Sequence, residues 1–403
     1  MIAESGVIGL LSKKTVRDID LSGKKVLVRF DYNVPIKEGA ITDTIRIDES
    51  LDTLQYLLDA GAGVVILSHL GRPKDGFEEK YSLRPVAEYL AKAVGCSVAL
   101  AKDVGGADSQ RLTAAMKPGD IVMCENVRFE PGETKNDPEL SKRLAALADI
   151  YVNDAFGTAH RAHSSTAGVA DYLPAVCGML IEKEITVLEG LLEHPKRPFV
   201  AILGGAKVSD KIAVIESLLE RVDMLLIGGG MAYTFLASQG HRVGASLLEA
   251  DKLDVAAGLL TKADKLGKQM LLPLDHVVAD RFDVAANVRA VGEPDIPDGW
   301  MGMDIGPKTT ARYIEAVLGA GTVFWNGPMG VFEMPPFAEG TRAIAEAMAT
   351  CGADTVIGGG DSAAAVKQFK VADRITHIST GGGASLEFIE GKTLPGIACL
   401  MDK

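Results

Sequence analysis

Short apolar, β-branched runs alternate with longer amphipathic stretches along almost the whole chain, and this alternation leaves few folds open. The runs are Lys25–Phe30, Gly63–Leu67, Ile121–Cys124, Ile150–Val152, Phe199–Leu203, Met224–Ile227, Gln269–Leu274, Thr322–Trp325, Thr355–Ile357 and Ile375–Ile378. Helix-period patterns such as Asp48–Ala60, Lys211–Arg221 and Phe337–Ala349 lie between them. Strand and helix in regular succession predict parallel sheets covered by helices. At 403 residues the chain exceeds what one core ordinarily serves. The expected fold class is therefore α/β: two Rossmann-like domains, each a parallel sheet covered by helices, joined by a hinge helix. The helical stretch Met179–Leu192, before Pro195 and Pro198, reads as the connector. This gives an N-terminal domain over 1–178, a hinge over 179–195 and a C-terminal domain over 196–392.

The formal charge of −12 and the lack of a long basic tract argue against nucleic acid as a partner. A chain this acidic repels anions at long range, so an anionic substrate has to be attracted by a local basic cluster. Cys96, Cys124, Cys177, Cys351 and Cys399 are dispersed, with no CxxC pair, as expected of reduced thiols in a cytoplasmic protein. Residues 1–14 carry only a short apolar stretch, Val7–Leu11, and do not read as a secretory leader. No apolar run is long enough to cross a bilayer, so no membrane partner is expected.

In open α/β sheets ligands bind beyond the carboxyl ends of the strands. In the first half of the chain those ends are polar or basic. Lys25–Phe30 leads to Asp31 and Asn33, Gly63–Leu67 to His69 and Arg72, Ile121–Cys124 to Arg128, and Ile150–Val152 to Asp154 and Arg161. With Arg46, these residues are expected to converge on one cleft. Arginine's planar fork suits carboxylate and phosphate oxygens, so the set predicts a small, highly charged anion. Each arginine alone reads equally well as a solvated charge or a structural ion pair. His160 and His163, three apart, invite a zinc reading, but no further ligand follows at a recognised spacing, which favours hydrogen bonding or substrate contact. Asp154 reads as structural rather than as a general base.

In the second half the strand ends lead into glycine: Gly204-Gly205-Ala206-Lys207, Gly228–Gly230, Gly327-Pro328, Gly358-Gly359-Gly360-Asp361 and Gly381–Gly383. Glycine lets backbone approach a ligand closely, and a helix start attracts phosphate. Several such turns, with Lys207 and Lys211 nearby, predict a polyphosphate site. The P-loop pattern G-x-x-x-x-G-K-[ST] is missing. The loose G-x-G-x-x-A match at Gly358–Ala363 lacks the acidic residue a dinucleotide's ribose requires, since the next strand ends at Ile378-Ser379-Thr380-Gly381. Asp361 is the candidate Mg²⁺ ligand, with a plain helix N-cap as the alternative. Glu333 is a candidate for a ribose hydroxyl, or else an exposed loop carboxylate.

These segments resemble the phosphoglycerate kinase family in order and over residues 25–400. The matching stretches include Val28-Arg29-Phe30-Asp31-Tyr32-Asn33, Leu67-Ser68-His69-Leu70-Gly71-Arg72-Pro73, Glu125-Asn126-Val127-Arg128-Phe129, Leu203-Gly204-Gly205-Ala206-Lys207, Trp325-Asn326-Gly327-Pro328 and Gly358-Gly359-Gly360-Asp361-Ser362. The resemblance implies reversible transfer of the acyl phosphate of 1,3-bisphosphoglycerate to Mg-ADP, giving 3-phosphoglycerate and ATP. It implies that Asp31, Asn33, Arg46, His69, Arg72, Arg128 and Arg161 hold the phosphoglycerate. Lys207, Lys211, Glu333, Gly358, Gly359, Gly360, Asp361 and Ser362 would serve the nucleotide and its magnesium. It further implies a monomer whose tail, residues 393–403, returns to the first domain. The expected mechanism is in-line transfer with hinge closure, in which Arg46, Lys207 and the backbone of Gly382 and Gly383 grip the moving phosphoryl group. The rivals are a kinase for another acyl phosphate and an inactive nucleotide-binding scaffold.

Overall fold

The computed structural model describes residues 12–74 and 76–403. The stretch that reads as lacking a secretory leader lies, as far as residue 11, outside the described residues. The chain divides into two compact units between Thr186 and Val187, and Lys392–Lys403 belongs with the first. The division falls inside the helix Met179–Glu193.

The first unit is built on six parallel strands. From edge to edge they are Val98–Leu100, Ile121–Met123, Gly63–Leu67, Lys25–Arg29, Ile150–Asn153 and Ala175–Cys177. Gly63–Leu67 is buried throughout, as a strand covered on both faces must be, which explains its unbroken apolar reading. Helices Leu51–Asp59 and Arg84–Val94 bring Leu54, Leu57, Val86 and Leu90 to the sheet's Val26, Val28, Val64 and Ile66. Each such burial is worth about 1.5–3 kcal/mol. The two edge strands went unrecognised in the sequence because three residues of Val-Ala-Leu or Ala-Val-Cys carry no period.

The pattern over Asp48–Ala60 resolves into two helices, Ile45–Asp48 and Leu51–Asp59. Ser50 marks the break. Its Oγ donates to Ile47 O at 2.7 Å and meets the Tyr32 hydroxyl at 2.9 Å, local bonds that compete with a continuous helix. The returning tail is held by backbone. Asn153 Nδ2 donates to Gly396 O at 2.7 Å, Gly396 N to Ala159 O at 2.8 Å and Met401 N to Ala175 O at 2.9 Å.

The second unit repeats the plan with Gln269–Leu271, Met224–Ile227, Phe199–Leu203, Thr322–Asn326, Asp354–Gly358 and His377–Ile378, all parallel. Ile202, Leu226, Val323, Trp325 and Ile357 form its core with Tyr313, Ile344 and Val366. An antiparallel sheet in this unit, Val288–Val291, His276–Ala279 and Met301–Ile305, is an addition to the expected plan. Its strands hid because Val288–Val291 is largely exposed and Met301–Ile305 contains Gly302. A Cβ on Gly302 would lie 2.1 Å from the Tyr233 hydroxyl, so strand propensity there yields to close packing. Among the described residues no helix is long and apolar enough to cross a membrane.

Candidate functional site

In the first unit the polar strand ends form one bonded cluster. Asp31 lies two residues past Lys25–Arg29, and its Oδ2 accepts from Arg46 Nη1 at 2.9 Å. Arg46 comes from the short helix Ile45–Asp48 rather than from a strand end. It also donates to Asn33 O at 3.3 Å. Asn33 Oδ1 accepts from Gly71 N at 2.8 Å, and Gly71 O accepts from Arg128 Nη1 at 2.6 Å. His69 Nδ1 stands 3.6 Å from Asp31 Oδ1. Burial resists ionisation of Asp31, but His69, Arg46 and Arg29 together hold its carboxyl below the ordinary range.

Two motif residues serve as scaffold. Glu125 accepts from Ser82 Oγ at 2.6 Å and Asn126 N at 2.9 Å, and Asn126 Nδ2 donates to Leu70 O at 2.7 Å and Tyr81 O at 3.0 Å. They fix the turn that presents Arg128. Burial, with the like charges of Arg29 and Arg72, lowers the Arg128 pKa. Of these three guanidinium groups Arg29 is buried, whereas Arg72 is exposed and Arg128 half-buried. Arg72 and Arg161 are exposed. Arg161 follows the turn Phe156–Thr158 and its charge is felt at His163, but it lies outside the bonded chain from Asp31 to Arg128. His163 is held by burial and by neighbouring arginines at about 4, and no group of three or more metal-type ligands occurs among the described residues. Asp154 is fully buried. Its Oδ1 accepts from Leu180 N at 2.9 Å and Ile181 N at 3.0 Å, capping the helix Met179–Glu193.

The second unit uses backbone where the first uses charge. Its glycine turns interlock. A Cβ on Gly204 would lie 2.1 Å from Pro328 O, one on Gly327 2.3 Å from Gly204 O, and one on Gly229 2.6 Å from Gly205 N. Gly229 and Gly327 also carry φ of 65° and 90°. The glycines thus let strand-end loops touch one another, a use that ligand approach alone does not explain. Asn326, at the end of Thr322–Asn326, joins them. Its Nδ2 donates to Gly358 O at 2.7 Å and its Oδ1 accepts from Lys211 Nζ. Burial lowers Lys211's pKa, against the pull of Asp210, Asp361 and Glu390. Ser362 Oγ accepts from Gly327 N at 2.6 Å, so this hydroxyl positions a loop. Lys207 is exposed on the turn after Phe199–Leu203. Gly382, with φ 53°, precedes the seven-residue helix Gly383–Ile389.

A cavity of about 680 Å³ opens beside these turns, lined by Gly205, Gly229, Gly230 and Pro328, with Glu333 and Asp361 supplying carboxylates. Its apolar walls include Tyr233, Leu247, Phe282, Met301, Met303 and Val331. The volume and lining suit a purine nucleotide. Both carboxylates, Glu333 and Asp361, are exposed, and a donor set of one or two carboxylates completed by phosphate oxygens and water is the kind magnesium takes.

The sequence model of phosphoglycerate kinase matches residues 16–392. The chain belongs to the phosphoglycerate kinase family. It is similar to the phosphoglycerate kinase of Coxiella burnetii, with 44% identity and a TM-score of 0.88 over 96% of this chain and 98% of that one. It is also similar to that of Pyrococcus horikoshii OT3, with 33% identity and a TM-score of 0.80 over the same shares. Membership makes it an ATP-binding kinase that carries out the phosphoryl transfer of glycolysis characteristic of phosphoglycerate kinases. Sequence reasoning missed Arg29, Glu133, Asn326 and the cavity's apolar walls. Arg29 left one trace, a charge set between the apolar Val28 and Phe30 at the end of its strand.

Proposed function

We propose that the chain reversibly transfers the acyl phosphate of 1,3-bisphosphoglycerate to Mg-ADP, giving 3-phosphoglycerate and ATP, as a cytoplasmic monomer. The observation that carries this reading is the first unit's basic cluster, with Arg46, Arg128 and the neutral His69 gathered around Asp31 and Asn33 at one end of a parallel sheet. These residues, with Arg72 and Arg161, hold the phosphoglycerate. Lys207, Lys211, Glu333, Gly358–Gly360, Asp361 and Ser362 serve the nucleotide. Residues 1–178 form the phosphoglycerate domain with 393–403 returning to it, 179–195 the hinge, and 196–392 the nucleotide domain.

The bond from phosphorus to the acyl oxygen breaks, and a bond from phosphorus to the terminal oxygen of ADP forms. The leaving group departs as a carboxylate, so no strong base is needed. Asp154, sealed beneath a helix end, is not required as one. The remaining task is positioning and neutralising charge on the moving group. Arg46, Lys207 and the N–H groups of Gly382 and Gly383 perform it, and hinge closure brings the ligands together and excludes water. Asp361 would hold the magnesium, which when bound would neutralise nucleotide phosphate charge.

The test is a coupled assay with 3-phosphoglycerate and ATP. Arg46→Ala is expected to lower kcat by about 10²-fold or more, on the scale of one lost transition-state donor, with ADP affinity unchanged. No turnover of 3-phosphoglycerate by the unmodified chain would defeat the assignment. An unchanged kcat in the variant would remove Arg46 from the chemistry.

A further inference from the structure

Arg29 closes the strand Lys25–Arg29 and is 1% exposed. Such a buried guanidinium needs all its hydrogens engaged and its charge balanced. Its Nε donates to Ser165 Oγ at 2.9 Å, its Nη1 to Phe30 O, and its Nη2 lies 3.2 Å from His69 Nδ1. Ser165 passes the interaction on, because its Oγ donates to Glu133 Oε1 at 2.5 Å and its N to Glu133 Oε2 at 3.0 Å. A buried carboxylate thus stands one hydroxyl away from the buried cation.

The contact with His69 has only one chemical meaning. Guanidinium carries N–H donors and no acceptor, so His69 Nδ1 must be the acceptor. A neutral imidazole has one N–H, which then sits on Nε2. The competing acceptor for an Nδ1 proton is Asp31. Its Oδ1 is 3.6 Å away, beyond hydrogen-bond reach, and accepts from Asn33 N at 3.3 Å, while Oδ2 takes Arg46 at 2.9 Å. Protonating Nδ1 would also set two N–H donors against each other.

We infer that Arg29 is a positioning residue of the anion site: it holds His69 in the neutral Nε2–H tautomer, so that His69 meets the substrate as an uncharged hydrogen-bond donor. The tautomer follows from the geometry alone, whereas the donor role rests on the substrate site proposed above. The groups facing the ring agree. Burial comes first, then Asp31, which favours the cation, then Arg29, Arg128 and Arg46, which oppose it, and the ring is held at about 3. Arg29 and Asp31 come from the strand end, Arg46 from Ile45–Asp48 and Arg128 from Val127–Phe129. Across neutral pH the site's charge is set by its arginines, and His69 neither shuttles protons nor adds a cation.

Multiple-bond ¹⁵N–¹H NMR on the whole protein labelled at histidine reads this directly. The expected spectrum shows an unprotonated Nδ1 and a protonated Nε2, unchanged from about pH 5.5 to 8.5. A protonated Nδ1, or a ring that titrates within that range, overturns the inference. Arg29→Lys keeps a donor that cannot accept and should keep the tautomer, whereas Arg29→Met should release the ring to a tautomer mixture. If the methionine variant fails to fold, the unmodified protein still decides. The donor role has its own readout. His69→Gln can place an amide N–H near the Nε2 position, while His69→Asn replaces only the acceptor. The KM for 3-phosphoglycerate should rise about tenfold or more in the asparagine variant and far less in the glutamine variant. Equal KM values in the two would overturn the donor role and His69's place in the substrate site, while the spectrum judges the tautomer separately.

Discussion

Replacing Gly204 by alanine adds one methyl group, and the structure says what that group meets. Its carbon would lie 2.1 Å from Pro328 O, 2.7 Å from Gly327 O and 2.8 Å from Pro328 C, all of them backbone. Carbon–oxygen contacts settle near about 3.3 Å, so the two turns have to separate by roughly 1.2 Å. The bonds Gly204 N to Asn326 O at 2.9 Å and Gly205 N to Pro328 O at 3.2 Å cross that gap and have to stretch. Overpacking of this kind costs about 1–3 kcal/mol, and weakening two backbone bonds adds about 1–2 kcal/mol. For a unit of this size that lowers Tm by roughly 4–20 °C. Pro328 and Gly205 also line the nucleotide cavity, and a shift of about 1 Å at such walls costs on the order of 10²-fold in binding or turnover. The assay is calorimetric titration with Mg-ADP alongside thermal unfolding. Gly258→Ala serves as the control, because its Cβ would meet nothing within 4 Å on the exposed side of the helix Leu253–Lys265. It should raise stability by about 0.5–1 kcal/mol. A Gly204→Ala protein with unchanged ADP affinity and unchanged Tm would refute the interlocking argument.

Three further outcomes follow from the geometry. Burial lifts the Asp154 carboxyl from 3.8 to about 7, so between those values the folded protein keeps a proton that the unfolded chain releases, and stability falls as pH rises through that window. Asp154→Asn should flatten this part of the stability–pH curve in denaturant titrations. Asn326→Ala frees Lys211 Nζ and strands the buried Gly358 O, so calorimetry should show ADP affinity down by about tenfold with 3-phosphoglycerate affinity unchanged. Removing residues 392–403 deletes the bonds to Asn153, Ala159 and Ala175, so hydrogen exchange should rise in the first unit's strands and stay unchanged in the second unit's sheet.

Much of the fold was legible because buried parallel strands must read as unbroken apolar runs. Gly63–Leu67, Phe199–Leu203 and Thr322–Asn326 are buried at every residue. Elements with only one dry face, or too short for a period, gave no such signal, which is why Val98–Leu100 and the antiparallel sheet escaped. In the site, exposed cations at strand ends stood out, whereas the residues that orient them did not. Arg29 ends a strand, Glu133 lies in a turn, and the two meet through Ser165 across a sequence gap that no spacing rule spans. The cavity's apolar walls come from Leu247, Phe282 and Met301, each unremarkable in sequence and joined only by folding.

The two units solve the same electrostatic problem by opposite means, and the contrast explains their compositions. A chain of net charge −12 has to create local attraction for phosphate. The first unit does so with whole charges, and crowding arginines beside one another requires counter-charges that hold them in place without neutralising the mouth of the site. Asp31 at the surface of the cluster and Glu133 beneath it do this, one directly and one through Ser165. The second unit gathers fewer charges at its strand ends and instead packs backbone turns against one another, which works only if the turns can touch. That requirement, rather than flexibility, is why its strand ends are glycine. Flexible turns would leave the N–H groups free to point anywhere, and the cross-turn bonds from Gly205, Gly228, Gly229 and Met231 allow them one arrangement. A glycine whose Cβ would strike backbone is therefore a rigidifying residue in this protein, and alanine there should loosen the nucleotide site by prising it open.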